Sequence, residues 1–173
     1  LGWGTNSFNE LGKSGKEFQQ YAIKVTGLPK INQIAVGWHH SIALDNNGNI
    51  WVWGSDPAFQ FNEETKKHYD KPTLLVNLPK FTKIACGSWH SLAIDENMNI
   101  WSCGKNHFGM LGTGDSISCT TPMQIKTLKN ITDIGGGCLQ SIAIDSSGKI
   151  YTFGDNPSGQ LGLAICRDVT LLN

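Results

Sequence analysis

A fifty-residue period runs through this chain without a gap, and self-similarity at a fixed step of that size means an array of equivalent supersecondary units. Gly37-Trp38-His39-His40-Ser41-Ile42-Ala43-Leu44-Asp45 returns as Gly87-Ser88-Trp89-His90-Ser91-Leu92-Ala93-Ile94-Asp95 and again as Gly137-Cys138-Leu139-Gln140-Ser141-Ile142-Ala143-Ile144-Asp145. The pairs Trp3-Gly4, Trp53-Gly54, Cys103-Gly104 and Phe153-Gly154 keep the same step, as do Ile34, Ile84 and Ile134. The whole chain, 1–173, therefore reads as part of a single domain with repeats at about 5–54, 55–104 and 105–154 and partial units at both ends.

Within a unit, apolar runs of four to six residues are separated by Gly, Asn, Asp and Pro, which is the pattern of short strands joined by turns. In the second unit the strands are expected at 72–76, 81–86, 90–94 and 99–104. No segment carries a helical stripe. Asp45-Asn46-Asn47-Gly48 and Asp145-Ser146-Ser147-Gly148 sit between strands as hairpin turns, with Gly where φ is positive. The middle copy has Met98 there, so that turn should differ, or Asn97 should take the left-handed role. Four antiparallel strands per fifty residues describe an all-β propeller blade.

The segment Trp101-Ser102-Cys103-Gly104-Lys105-Asn106-His107-Phe108-Gly109-Met110-Leu111-Gly112-Thr113-Gly114 resembles the W-x-x-G-x-N-x-x-G-Q-L-G-x-G signature of the regulator of chromosome condensation repeat family. Gly154-Asp155-Asn156-Pro157-Ser158-Gly159-Gln160-Leu161-Gly162 is similar along nearly its full length, and the family's G-x-x-H-S-L-A-L element recurs at Gly37 and Gly87 and, altered, at Gly137. The resemblance implies a propeller that is seven-bladed in complete members. Their activities range from guanine-nucleotide exchange on the GTPase Ran to UV-B sensing, β-lactamase inhibition and service as modules of ubiquitin ligases. One fold hosting that range cannot by itself assign a function.

The shared positions go to architecture. A glycine-rich loop that recurs at Gly4, Gly54, Gly104 and Gly154, without a Lys-Ser/Thr ending or a following helix, is not a phosphate loop. Its glycines, with Gly109 and Gly159, are read as turn formers. Asn9 replaces the glycine aligned with Gly109 and suits a left-handed backbone. Phe59 replaces it in the second copy and does not, so loop 55–62, with Phe59 and Phe61, is expected to be remodelled and to contact a partner. His40 and His90 occupy one repeat position where the third copy has Gln140. Gln keeps the hydrogen bonding but is a poor metal ligand or proton shuttle, so these are structural hydrogen bonders. Ser41, Ser91 and Ser141 belong to the repeat, and Asp45, Asp95 and Asp145 form turns. No activated nucleophile, metal cluster or cofactor site stands out, and the chain is expected not to be an enzyme.

Function must then lie where the repeats differ. After each repeat glycine come Trp38-His39, Ser88-Trp89 and Cys138-Leu139, a loop that the resemblance places on one face of the disc near the central channel. In the family's plant photoreceptor this loop carries light-absorbing tryptophans in a G-W-R-H-T element. Here Arg is absent, and Trp stands at that position in only one copy. Trp38, His39, Trp89 and Leu139 are candidate anchors for a protein partner; the competing reading packs Trp38 and Trp89 between blades.

Lys plus Arg and Asp plus Glu number 14 each, so no basic face exists for direct nucleic-acid binding. No apolar run is long enough for a membrane span. No leader opens the chain, and five unpaired-looking cysteines fit a reduced intracellular compartment, cytoplasmic or nuclear. The length supplies about fourteen strands, or three and a half blades, which suggests a fragment or the ordered part of a longer chain that carries the remaining blades. The expected role is a protein-binding scaffold, with a Ran-type small GTPase as the leading partner and exchange as its regulation. The alternative is a structural adaptor in a ligase or cytoskeletal assembly. In the family's exchange factor a β-wedge disturbs the nucleotide site, and the constant step between Gly4 and Gly154 leaves no room for one here.

Overall fold

The computed structural model describes residues 1–15, 17–55 and 68–163. Among these the chain is all-β, with thirteen strands and no helix. A two-stranded sheet, β1 (Gly2–Thr5) and β2 (Phe18–Ile23), precedes two complete blades. The first complete blade holds β3 (Ile31–Val36), β4 (His40–Asp45), β5 (Ile50–Ser55) and β6 (His68–Leu74). The second holds β7 (Phe81–Cys86), β8 (His90–Asp95), β9 (Ile100–Gly104) and β10 (Cys119–Gln124). The last sheet contains β11 (Ile131–Gly136), β12 (Gln140–Asp145) and β13 (Ile150–Gly154). Every pairing is antiparallel between sequence neighbours, so each blade is a meander. This is a partial propeller of about three and a half blades; the expected fourteenth strand falls on 164–173, outside the described residues.

The contacts between blades fall on β3, β7 and β11 and on the strands next to them. The first strand of each blade therefore lies nearest the axis and the fourth at the rim. The rim strands carry Pro72 and Pro122, tolerated because an outer edge needs no donor there. Each first strand shifts register at one place, between Ile31 and Gln33, Phe81 and Lys83, and Ile131 and Asp133, so even the bulge belongs to the repeat.

The core lies between successive blades, as in any face-to-face sheet packing. Ile42, Leu44, Ile50 and Val52 of the first complete blade pack on Phe81, Ala93, Cys103 and Cys119 of the second. Ile94, Ile100, Ile125 and Leu128 pack in turn on Ile131, Ala143 and Phe153 of the last sheet. Fully burying each such side chain stabilises the fold by about 1.5–3 kcal/mol.

The β4–β5 turn closes through Asp45, whose carboxylate accepts from the Asn47 and Asn49 backbones, the Asn49 amide and the Trp51 indole. Asp95 repeats this in full, and Asp145 keeps the two backbone contacts, with Ser147 Oγ and the Tyr151 hydroxyl donating in place of the amide and the indole. Partial burial opposes ionisation of Asp45, but the Asn49, Trp51 and Asn47 donors outweigh it and bring its pKa to about 2. Two expectations need correction. Met98 itself, not Asn97, takes the left-handed conformation, with φ 58°, because the Asp95 carboxylate fixes the same turn whatever stands there. The strand expected at 72–76 as the first of the second unit is β6, His68–Leu74, and it is the rim of the preceding blade, because it pairs with β5 back past a register shift to Ser55. Asn9 is left-handed at φ 62°, as expected.

Candidate functional site

The glycine before each inner loop is needed for close approach, not for an unusual φ. A Cβ on Gly37 would meet the His40 ring and, at 2.7 Å, the Gly87 carbonyl; one on Gly87 would meet the His90 ring and the Gly137 carbonyl likewise. The Cε1–Nδ1 edge of the histidine ring thus occupies the space a side chain at the glycine would need, and its Nε2 points into the next blade. His40 Nε2 is 3.1 Å from Ser91 Oγ, and His90 Nε2 is 2.8 Å from Ser141 Oγ. Ser141 gives its own proton to the Met110 carbonyl, 2.7 Å away, so His90 Nε2 must carry the proton and Nδ1 stays a bare lone pair. The Nδ1 atoms of His40 and His90 are buried without a partner. A second proton would be stranded there, and burial accordingly lowers the His90 pKa to about 4. Burial, with His90 and His39 nearby, lowers that of His40 to about 3. Both are neutral fasteners between blades.

The glycine-rich loop makes a second fastener. Asn106 is fully buried, accepts from the Leu111 backbone and donates to Thr113 and Asp115. Asn6 and Asn156 accept from the Leu11 and Leu161 backbones in the same way. The carbonyl at the next equivalent position then reaches across: Ser41 donates to Glu10 O at 2.9 Å, as Ser141 does to Met110 O. The three asparagines stand in the repeat motif, so their spacing was the signal for this role. Gly4, Gly54, Gly104 and Gly154, with φ between 98° and 116°, are paired residues of β1, β5, β9 and β13 and not the turn formers expected; at Gly54 and Gly154 a Cβ would meet the carbonyls of His39 and Leu139 on the neighbouring strand's approach.

These fasteners set the inner loops edge to edge. Trp38 N donates to Ser88 O, and Ser88 N donates to the Gly137 and Cys138 carbonyls. On this base the variable side chains gather. Trp38 and Trp89 meet edge to face at 5.3 Å, His39 and Trp89 at 5.3 Å, and Phe8 lies 4.4 Å from His39. Trp38 is 59% exposed, so it does not pack between blades. Trp89, His39 and Leu139 are half-buried. Leu139 holds the equivalent place in the third loop, where its carbonyl accepts from Asp155 N. Glu10 approaches His39, with Oε1 3.5 Å from Nδ1, and accepts from the Phe8 backbone through Oε2. Phe8 is the member that the sequence did not single out. It aligns with Phe108 at an unspecified position of the repeat motif, where the other copies have Ala58 and Ser158. Phe59 and Phe61 lie outside the described residues, as does most of loop 55–62. Among the described residues no three His, Cys, Asp or Glu side chains group as metal ligands, and no helix is long and apolar enough to cross a membrane.

Comparison with known proteins fits this geometry. The regulator of chromosome condensation (RCC1) repeat matches residues 47–94 and 99–144, and a second description of that repeat matches 31–60 and 81–109. The chain belongs to the RCC1 repeat family. Human HERC3, a probable E3 ubiquitin-protein ligase, is 36% identical over 75 residues, which is 40% of this chain and 7% of HERC3. An RCC1 domain-containing protein of Dictyostelium discoideum is 50% identical over 36 residues, 21% of this chain and 7% of that protein. The chain thus spans a small part of these relatives. Among solved structures, Prp20p of Saccharomyces cerevisiae superposes with a TM-score of 0.85 at 20% identity, over 99% of this chain and 44% of Prp20p. Human WBSCR16 gives 0.81 at 14%, over 98% and 45%. At such identities the likeness concerns the RCC1 fold alone.

Proposed function

We propose that this RCC1-repeat segment is a non-catalytic scaffold that captures a protein partner through its inner-loop face. The observation that carries the reading is the exposed Trp38, flanked by Trp89 and His39, with Phe8 against His39. A rigid aromatic cluster at the centre of a face is the composition of a binding hot spot. The shared repeat positions are occupied by blade fastening, which leaves the variable ones for recognition. A small GTPase is the leading partner: Prp20p, which has this fold, is described with binding to Gsp1p and to histones. Regulation would then be nucleotide exchange, carried out with a projecting element from outside this segment. Titrating a Ran-type GTPase onto the immobilised protein tests it. Saturable binding that Trp38→Ser weakens by roughly tenfold, or about 1–2 kcal/mol, is expected; no binding at high micromolar concentration overturns the GTPase reading. The likeness to HERC3 favours a second reading, an adaptor module within a larger assembly such as a ligase. In that case the same face binds another subunit and the GTPase does not bind.

A further inference from the structure

The second complete blade carries two thiols where the first carries two aromatic rings. Cys103 and Cys119 stand fifty residues after Trp53 and Tyr69, and the pairing repeats with them, Tyr69 opposite Gly54 and Cys119 opposite Gly104. The two exchanges fall together where β9 meets the rim strand β10. Both side chains enter one core cluster beside Leu111, and each sulfur reaches the other's strand. Cys103 Sγ donates to the Cys119 carbonyl at 3.2 Å, and Cys119 Sγ donates to the Ser102 carbonyl at 3.6 Å. The Cys103 thiol is also the main influence holding the Cys119 thiol below its ordinary pKa, with the Gly104 amide, against burial and Asp115. A lower pKa means more thiolate, the reactive form. Cys119 sits at the rim between half-buried Ser118 and exposed Thr120, with Cys103 fully buried behind it. Cys86 is the contrast: burial pushes its thiol up to about 12.

We propose that Cys103 and Cys119 form a peroxide-sensitive dithiol, in which Cys119 is the site of oxidation and Cys103 the thiol that resolves it. A thiolate beside a second thiol is the arrangement that stops oxidation at a reversible disulfide. The Cys119 thiolate attacks one oxygen of hydrogen peroxide, the O–O bond breaks, and the other oxygen leaves as hydroxide and takes up the thiol's proton as water. The Cys103 sulfur then attacks the resulting sulfenic acid. Its S–O bond breaks as the S–S bond forms, and the hydroxyl leaves with the Cys103 proton as a second water. Two thiols lose two hydrogens, and the peroxide is reduced to two waters. The disulfide closes residues 104–118 into a loop. That loop holds the Asn106 fastener, and its Met110 carbonyl accepts from Ser141 of the last sheet. Oxidation at the rim therefore stiffens the junction between the second complete blade and the last sheet, independently of the aromatic face.

The sequence makes the product easy to read, because Lys105 lies between the two cysteines and trypsin separates them. Cys138→Ser and Cys166→Ser prevent cross-linking between chains, and the folded protein is treated with hydrogen peroxide in small excess. The expected product is a Cys103 peptide joined to a Cys119 peptide, two hydrogens lighter than their sum and released by dithiothreitol, with Cys86 unmodified. In Cys103→Ser, dimedone should label a sulfenic acid at Cys119. In the oxidised protein, amide exchange across 105–118 should slow by at least about tenfold. A missing cross-link, or one formed as readily in the chain unfolded in urea, overturns the dithiol; this result needs no change at either cysteine and stands even if Cys103→Ser does not fold. Dimedone labelling of Cys103 in Cys119→Ser, with none of Cys119 in a folded Cys103→Ser, reverses the assigned roles. A cross-link that leaves exchange across 105–118 unchanged refutes the stiffening.

Discussion

At the scale of single residues, the fold depends on a glycine that yields its side-chain space to a neighbour's ring. The three copies of this arrangement make a graded test. Gly37→Ala drives a Cβ into the His40 imidazole, which cannot move aside because its Nε2 is held by Ser91 and the Gly87 carbonyl stands 2.7 Å away. A loss of about 1–3 kcal/mol, the usual cost of overpacking, is expected in chemical denaturation. Gly137→Ala meets the end of the Gln140 side chain at 2.6 Å, a flexible amide that can swing, so its loss should be smaller by at least about 1 kcal/mol. Equal losses would show that the ring is not the obstacle. The same histidines set a pH dependence. Folded, they resist protonation down to about 3 for His40 and about 4 for His90; unfolded, each takes a proton near its ordinary value of about 6.5. Below pH 6.5 the unfolded chain therefore binds more protons, and stability falls with pH from about 6.5 to 4, by on the order of a few kcal/mol in all. The depressed Asp45 and Asp145, at about 2, extend the loss: their stabilisation is present above about pH 4 and disappears as pH falls towards 2. Equilibrium unfolding across pH 7 to 4 in the wild type and in His40→Gln with His90→Gln checks the first window, which the double variant should flatten.

Secondary-structure elements repeat a backbone requirement as strictly as they repeat sequence. Gly104 and Gly154 end third strands at φ 116° and 114°, a region costly for a β-branched residue. Gly104→Val and Gly154→Val should each lose several kcal/mol, and by amounts within about 1 kcal/mol of one another, in parallel denaturant titrations. A wide difference would mean that the two strand ends are alike in sequence only. This regularity is why the blades could be read from the chain. Alternating apolar runs and Asp-capped turns recur at a fixed step, so each copy corroborates the next. The failures came where tertiary context outweighed a local signal. Met98 accepts a left-handed φ because Asp95 holds its turn from outside. The β6 boundary followed its pairing with β5, not its own apolar run. At the candidate site, Trp38, His39 and Trp89 were legible because they vary between copies. Phe8 was not, because its role arises from a loop between β1 and β2 folding over the inner-loop face, a juxtaposition that no local pattern records.

For the molecule as a whole, the proposed function divides the labour between fastening and recognition. Histidine–serine contacts and asparagine-centred loops join the blades through buried hydrogen bonds, and the backbone links Trp38–Ser88 and Ser88–Gly137 hold the inner loops as one surface. What stands on that surface is free to serve a partner. Trp38, Trp89 and Leu139 separate the two possible uses, because their exposures differ. Trp38→Ser removes a mostly exposed ring and its edge contacts with Trp89 and His39, so it should cost no more than about 1 kcal/mol of stability while weakening partner capture by about 1–2 kcal/mol. Trp89→Ser and Leu139→Ser remove half-buried groups and should lower both stability and binding. Thermal melts run beside binding titrations for the three variants decide the matter. If Trp38→Ser lowers the melting temperature as much as Trp89→Ser does and leaves binding intact at temperatures where it is folded, the aromatic cluster is a clamp between loops and not a docking face. If binding falls while the melt is unchanged, the ring that the fold leaves in solvent is the one the partner covers.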